Sequence, residues 1–427
     1  MHRATTSPLS IIQKFMLVIA PMCLFIDPAS EIFLHNVVGF EEERLAYPIS
    51  FSMLALMPFL VLLNSNKTSY RILFYSFLPI LLSVLYAIIN ETIEPVIVSL
   101  TWMAPFIWLA GFLSIDKAPH DKTVIFWFSI GCIISTLYIL LGGTLEILIY
   151  GALQDEGRMT TNMVVPGHYQ LYVYMPTMTA FSTIVLLGAI KANLISLFKF
   201  DFLVIMIFGA IALIYMAARE AILSYVFAIV LIFLANTKLR LFLISICFPF
   251  ISISILSNID SLSNYAAASE IKSLRKFSQF NEAGQTLGGR DSAITDYYDV
   301  FMNFPLFGTG FRSPFKNYFG ILTEFPSAHN YYVDVMAWGG IALCVIIFPM
   351  MIYLLYKSLS LFLNSLDKSG YFIYYRSLFA CLAIAILFSN NINVPFRAPV
   401  LAPLFGFLMF GVFAGAKYVS EAPESRR

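Results

Sequence analysis

The sequence predicts an all-α integral membrane protein of about 12 transmembrane helices, with one large, partly helical loop on the non-cytoplasmic side between the ninth and tenth. Composition, the length of the apolar runs and one long interruption carry that prediction. Hydrophobic residues make up 59% of the 427 and charged residues only 12%, for a mean hydropathy of +0.81. A soluble domain holds roughly a quarter charged residues, so this much apolar surface must face lipid. The runs approach the roughly 20 residues that cross the hydrocarbon core. Outer-membrane strands are instead about ten residues of alternating polarity. A net charge of +1 gives no pull toward nucleic acid.

Taken in order, the runs predict helices near 9–26, 45–63, 71–89, 95–115, 123–150, 170–190, 201–217, 220–235, 239–256, 330–356, 371–390 and 396–416. The first has the length of a secretory leader. It continues into Asp27-Pro28-Ala29-Ser30-Glu31 rather than a small-residue cleavage site, so it reads as a retained helix. No internal repeat or soluble domain interrupts a single polytopic unit, 1–427. Cys23, Cys132, Cys247, Cys344 and Cys381 all lie in apolar runs and form no CxxC or Cys/His group, so they read as buried thiols.

Basic residues set the sidedness. With the N-terminus cytoplasmic, each short cytoplasmic loop carries Lys or Arg: Lys67 and Arg71, Lys117 and Lys122, Lys191 and Lys199, Lys238 and Arg240, Lys357 and Lys368. Opposite loops carry Glu41-Glu42-Glu43, Glu91 and Glu94. Both termini are then cytoplasmic. The loop at 257–329 faces outward, and ordered loops of that length usually carry function. Its first part, 259–280, reads as an amphipathic helix. A second helix follows Gly288-Gly289, with Arg290, Ile294, Tyr297, Tyr298 and Phe301 on one face. Pro305 ends it, and Gly308-Thr309-Gly310 supplies a turn.

Polar groups at membrane depth are functional candidates. Arg158, His168, Arg219 with Glu220, Arg290, His329 and Arg397 fall at outer helix ends or in outer loops. Each has a plain structural alternative, because an Arg at a helix end snorkels to the interface and a lone His often only fills a core. Arg219 lies between two apolar runs with almost no loop, and it has Glu220 as a partner at hand. His329 sits where the long loop meets a helix start, in Pro326-Ser327-Ala328-His329-Asn330-Tyr331-Tyr332. There the helix dipole disfavours imidazolium and favours a neutral base.

Arg290, then Pro305-Leu306-Phe307-Gly308-Thr309-Gly310, then His329-Asn330 and a helix containing Gly340 together resemble the bacterial O-antigen ligase/polymerase superfamily. Arg219-Glu220-Ala221-Ile222-Leu223 resembles the family's arginine-x-x-x-leucine element, and Arg158 ahead of Pro166-Gly167-His168 resembles its arginine before an N-P-rich helix start. The resemblance covers about residues 150–345. Two positions depart from it: a second glycine three residues after Gly340 is Leu343, and the usual N-P reads Val165-Pro166-Gly167.

The resemblance implies a glycosyltransferase of the bacterial inner membrane, with its active site facing the periplasm. Its donor would be an undecaprenyl-diphosphate-linked oligosaccharide, and its acceptor a sugar hydroxyl on a lipid-linked glycan or the lipid A core. The leaving diphosphate gathers negative charge, which guanidinium groups bind bidentately. Arg219 and Arg290 are expected to do so, assisted by Arg158. His329 would take the acceptor's proton, and a single displacement would invert the anomeric centre. Substrate-binding roles fall to Arg158, His168, Arg312 and Lys316. Aromatic residues of the loop (Tyr297, Tyr298, Phe301, Phe311, Phe315, Tyr318, Phe319) either stack on sugars or simply pack. No metal or other cofactor is implied, and further partners are membrane lipid and a regulator of chain length. Leu343, where ligases tend to have glycine, favours polymerase over ligase. The competing classes are a lipid-linked oligosaccharide flippase or other twelve-helix transporter, and an assembly protein without chemistry. Transporters bury charge near the midplane and often show matching halves, whereas here the ionisable groups gather at outer ends.

Overall fold

The computed structural model describes residues 9–22, 48–63, 67–89, 91–115, 117–151, 153, 171–198, 200–216, 218–235, 237–244, 247, 290–312, 314, 327–366, 370–392 and 395–421. Every regular element among them is helical. In chain order these are α1 (Ile11–Ile19), α2 (Pro48–Leu63), α3 (Lys67–Ile89), α4 (Glu94–Leu113), α5 (Lys122–Tyr150), α6 (Leu171–Lys191), α7 (Asp201–Tyr215) and α8 (Arg219–Ile229). They continue with α9 (Arg290–Asn303), α10 (Tyr331–Asn364), α11 (Tyr371–Ile384) and α12 (Ala402–Glu421). Wider π turns extend α8 through Val230–Leu234 and α11 through Ala385–Ser389. The helices α3, α4, α5, α10 and Tyr371–Ser389 are long and apolar enough to cross a membrane. Most of the expected ninth helix and the expected loop helix at 259–280 lie outside the described residues.

Local chemistry sets the boundaries. A capping box between Ser10 and Gln13 opens α1. Asp121 caps α5 by accepting from the Thr123 amide at 2.8 Å, and Gly151 at φ +77° closes it. The last expected helix starts later than its apolar run. Pro399 keeps the residue before it out of helical geometry, so Pro395–Arg397 forms a separate 3-10 turn and α12 begins at Ala402. Helix α9 appears where the glycine pair and Pro305 bracket it, but its buried face is Ala293, Tyr297 and Val300, with Tyr298 exposed. Tyr297 is common to this face and the expected one, with Ala293 and Val300 beside it in place of the exposed Tyr298.

Contacts sort the helix ends into two sets. At one end the Tyr374 hydroxyl donates to the Pro119 carbonyl (3.0 Å), and His120 Nδ1 lies 2.7 Å from the Tyr375 hydroxyl. Burial holds the His120 imidazole below its usual range against the pull of Asp121. The buried Arg376 guanidinium reaches the Ile232 and Ala235 carbonyls, which closes the end of α8. At the other end Tyr86, near the end of α3, meets Phe307 and Phe311, and the start of α10 meets the π turn after α11. Helices α8 and α10 therefore both begin at this second end. α11 is almost wholly enclosed, whereas α3 turns Phe74, Leu81, Leu85 and Ile88 outward.

The long α10 is broken at Gly340, with φ +58° and ψ −157°, a conformation essentially restricted to glycine. A break there withdraws the helical amides of Ile341 and Ala342 from the carbonyls of Ala337 and Trp338. The segment after α9 gives each of the four groups a new partner. Thr309 and Phe311 donate to Ala337 and Trp338 (2.9 and 2.9 Å), while Ile341 and Ala342 donate to Pro305 and Leu306 (2.8 and 3.0 Å). The fit leaves no room for side chains. A Cβ on Gly308, itself at φ +57°, would sit 2.4 Å from the Ala337 carbonyl oxygen, and one on Gly340 would sit 2.5 Å from the Gly308 nitrogen. Leu343 is buried and packs beneath Gly339.

Gly340→Ala should therefore cost about 1–3 kcal/mol in backbone strain alone, and more once the clasp opens. Thermal unfolding of the detergent-purified protein reads this directly, and a melting temperature equal to the parent's would mean that the break is dispensable.

Candidate functional site

The site is built around the start of α10. Asn330 caps the helix, accepting from the Tyr332 and Val333 amides at 3.0 and 3.2 Å. One residue earlier, half-buried His329 has φ +52°, a left-handed conformation uncommon for a residue with a side chain. Its amide donates to Ser327 Oγ at 3.0 Å. Ser327 Oγ in turn donates to Asp334 Oδ2 at 2.6 Å, and the Ala328 amide donates to Asp334 Oδ1 at 2.8 Å. A carboxylate in the first turn of the helix thus gathers the residues that lead into it.

Asp334 has no exposed surface, and a buried carboxylate needs a counter-charge. Arg397 provides it from the 3-10 turn before α12, with Nη1 2.9 Å from Oδ2. Its guanidinium lies 4.9 Å from the Trp338 ring and 5.6 Å from the Trp102 ring, so α10 and α4 both hold it by cation–π contact. Tyr331 packs on Trp102 at 5.0 Å and on Phe396 at 6.0 Å. On the neighbouring face, Tyr332 donates to the Ile386 carbonyl inside the π turn at 2.8 Å, and Asn330 Nδ2 reaches Asn391 Oδ1 at 3.4 Å.

Of the residues singled out in the sequence, His329 stands at this bundle end. Arg219 is the first residue of α8, which begins at the same end. Arg290 opens α9, the helix that packs on α10 and leads into the clasp at Gly340. Arg312 follows the clasp, half-buried, and its carbonyl accepts from the Thr309 hydroxyl. Arg158, His168 and Lys316 lie outside the described residues. Asp334 went unremarked in the sequence, and Arg397 was seen only as one more arginine at a helix end. The signal was present: Asp334 is the one acidic residue in the apolar stretch Tyr331–Pro349. Among the described residues no group of three His, Cys, Asp or Glu side chains is placed to hold a metal ion.

Residues 203–348 match the O-antigen ligase family. The match includes Arg219, Arg290, the clasp and His329, so the resemblance holds over those motifs, while Arg158 and His168 precede it and Arg397 lies beyond it. It indicates a membrane protein of the glycan-transferring kind. No curated protein matches the chain.

Removing one partner of a buried ion pair strands the other charge, at a cost of about 3–5 kcal/mol. Arg397→Met alone should lower the unfolding free energy, read from the shift of the denaturation midpoint, by that amount. The double variant Arg397→Met with Asp334→Asn should recover part of the loss, because no charge is then left unanswered. A double variant that loses as much as the two single changes summed would show that the two residues act independently.

Proposed function

We propose that the chain is a glycosyltransferase of the bacterial inner membrane, acting at the bundle end that carries His329. The observation that carries this reading is the ordered, left-handed His329 at the capped start of α10, inside the segment that matches the O-antigen ligase family. Strained backbone at a residue able to move protons is a mark of a working site. The donor is a glycan on undecaprenyl diphosphate. The oxygen of an acceptor sugar hydroxyl attacks the anomeric carbon, and the bond from that carbon to the diphosphate breaks with inversion. The diphosphate leaves with the electron pair, and His329 takes the hydroxyl proton. Arg219 and Arg290, with Arg158, answer the charge that grows on the diphosphate, while His168, Arg312 and Lys316 contact the glycan or its carrier.

The opposite bundle end gathers Lys117, Lys122, Lys191 and Arg376, which supports a cytoplasmic assignment for that end and a periplasmic one for the site. Both termini are then cytoplasmic. Polymerisation of O-antigen or related repeat units is the reading preferred over ligation to the lipid A core, because Leu343 fills the space beneath Gly339 where ligases tend to have glycine. A chain-length regulator is the expected protein partner. On a lipopolysaccharide gel, a deletion strain with a single repeat on the core identifies a polymerase. Free polymer beside bare core identifies a ligase.

His329→Asn is the sharpest test of the chemistry, since asparagine tolerates the left-handed backbone and cannot act as the base. Transfer from a lipid diphosphate-linked glycan in reconstituted vesicles should fall by roughly 10²–10⁴-fold, with the protein present at parental level. Arg290→Ala and Arg219→Lys should fail as well, the latter because lysine offers a point charge in place of a bidentate fork. Full transfer by His329→Asn and Arg290→Ala would overturn the proposal.

A further inference from the structure

We propose that Ser327 and the Asp334–Arg397 pair form a positioning relay, which holds His329 in its left-handed conformation and so fixes the placement of its imidazole. The proposal rests on His329 acting as the base. Its warrant is the way the bonds converge. Three consecutive residues ahead of α10 are tied to one carboxylate: Ser327 by its hydroxyl, Ala328 by its amide, and His329 through the Ser327 oxygen. A residue held off the common backbone regions persists there only when its surroundings over-determine it.

The carboxylate is itself held. Arg397 occupies the Oδ2 edge at 2.9 Å, and the rings of Trp338 and Trp102 hold Arg397. Asp334 therefore lacks the freedom to swing, and the two tryptophans set the His329 backbone through a chain of contacts running from α4 to the α10 cap. Ser327, Asp334 and Arg397 are thus positioning residues whose effect reaches the reaction through His329. Misplacing a reacting group by about 1 Å costs on the order of 10²-fold in rate, so the loss should fall on kcat and leave donor binding alone.

Ser327→Ala is the informative variant because it removes the link to His329 while keeping the Asp334–Arg397 pair, and with it the fold. With an undecaprenyl-diphosphate-linked repeat unit as donor and the full-length protein in vesicles, its kcat should fall roughly 10–100-fold. Donor KM should stay within about twofold of the parent and the melting temperature should hold. Ser327→Thr, which restores the hydroxyl, should recover most of the rate. Asp334→Asn, which keeps an acceptor for Ala328 but presents an amide to the guanidinium, should show the same kcat-only loss if it folds. An unchanged kcat in Ser327→Ala beside an inactive His329→Asn overturns the relay and leaves the base assignment standing. Full activity in His329→Asn removes the base assignment and the relay with it. A loss in Ser327→Ala that raises KM as well, or that threonine does not repair, marks a structural role and also overturns the relay.

Discussion

Every amide and carbonyl at membrane depth must find a partner, since the hydrocarbon offers none and each unmet group costs several kcal/mol. That constraint governs α10. Its break at Gly340 would strand two donors and two acceptors, and the Pro305–Phe311 segment supplies a partner for each of the four. Three of the four glycines of this region answer to the same geometry. Gly308 and Gly340 adopt positive φ where the two backbones touch, and Gly310 does so against Tyr86. A proline–leucine–glycine pattern that reads as a loose loop signature in sequence is, in the fold, a splice into another helix's hydrogen-bond ladder.

Charge obeys the same accounting. Asp334 is completely enclosed, yet its oxygens are met by a hydroxyl, an amide and a guanidinium. The guanidinium in turn lies against two indoles. Such an arrangement is weak as a source of stability, because desolvation consumes most of the Coulomb gain. Its value lies in geometry, since few alternative placements satisfy so many partners at once. The order around His329 follows from it.

Much of this was legible beforehand. The apolar runs located four of the five long apolar helices to within about four residues, but α10 runs on to Asn364, eight residues past its expected end at 356. Glycine and proline bracketed α9. The pairing of Asp334 with Arg397 was not legible, as the partners stand 63 positions apart and only packing brings them together. The buried face of α9 was legible only in part, through Tyr297 and not through Ala293 and Val300. A small alanine lets two helices approach closely, and periodicity weighted by large aromatic residues overlooks it. The break in α10 was likewise hidden, since Gly339-Gly340 inside an apolar run reads as tolerated glycine until another segment is seen to fill the gap.

The ion pair also bears on how such a chain can diverge. The segment that matches the family closes at residue 348, but the side chains that steady Asp334 come from Trp102, far upstream, and Arg397, beyond its end. The recognisable segment is therefore not self-sufficient. Grafted into an unrelated set of helices, it would bring a buried carboxylate and Trp338 but neither the counter-ion nor the second indole, Trp102. Descent in this lineage should then show the flanking helices changing freely on their lipid faces, while the two positions that answer Asp334 move only in concert with it.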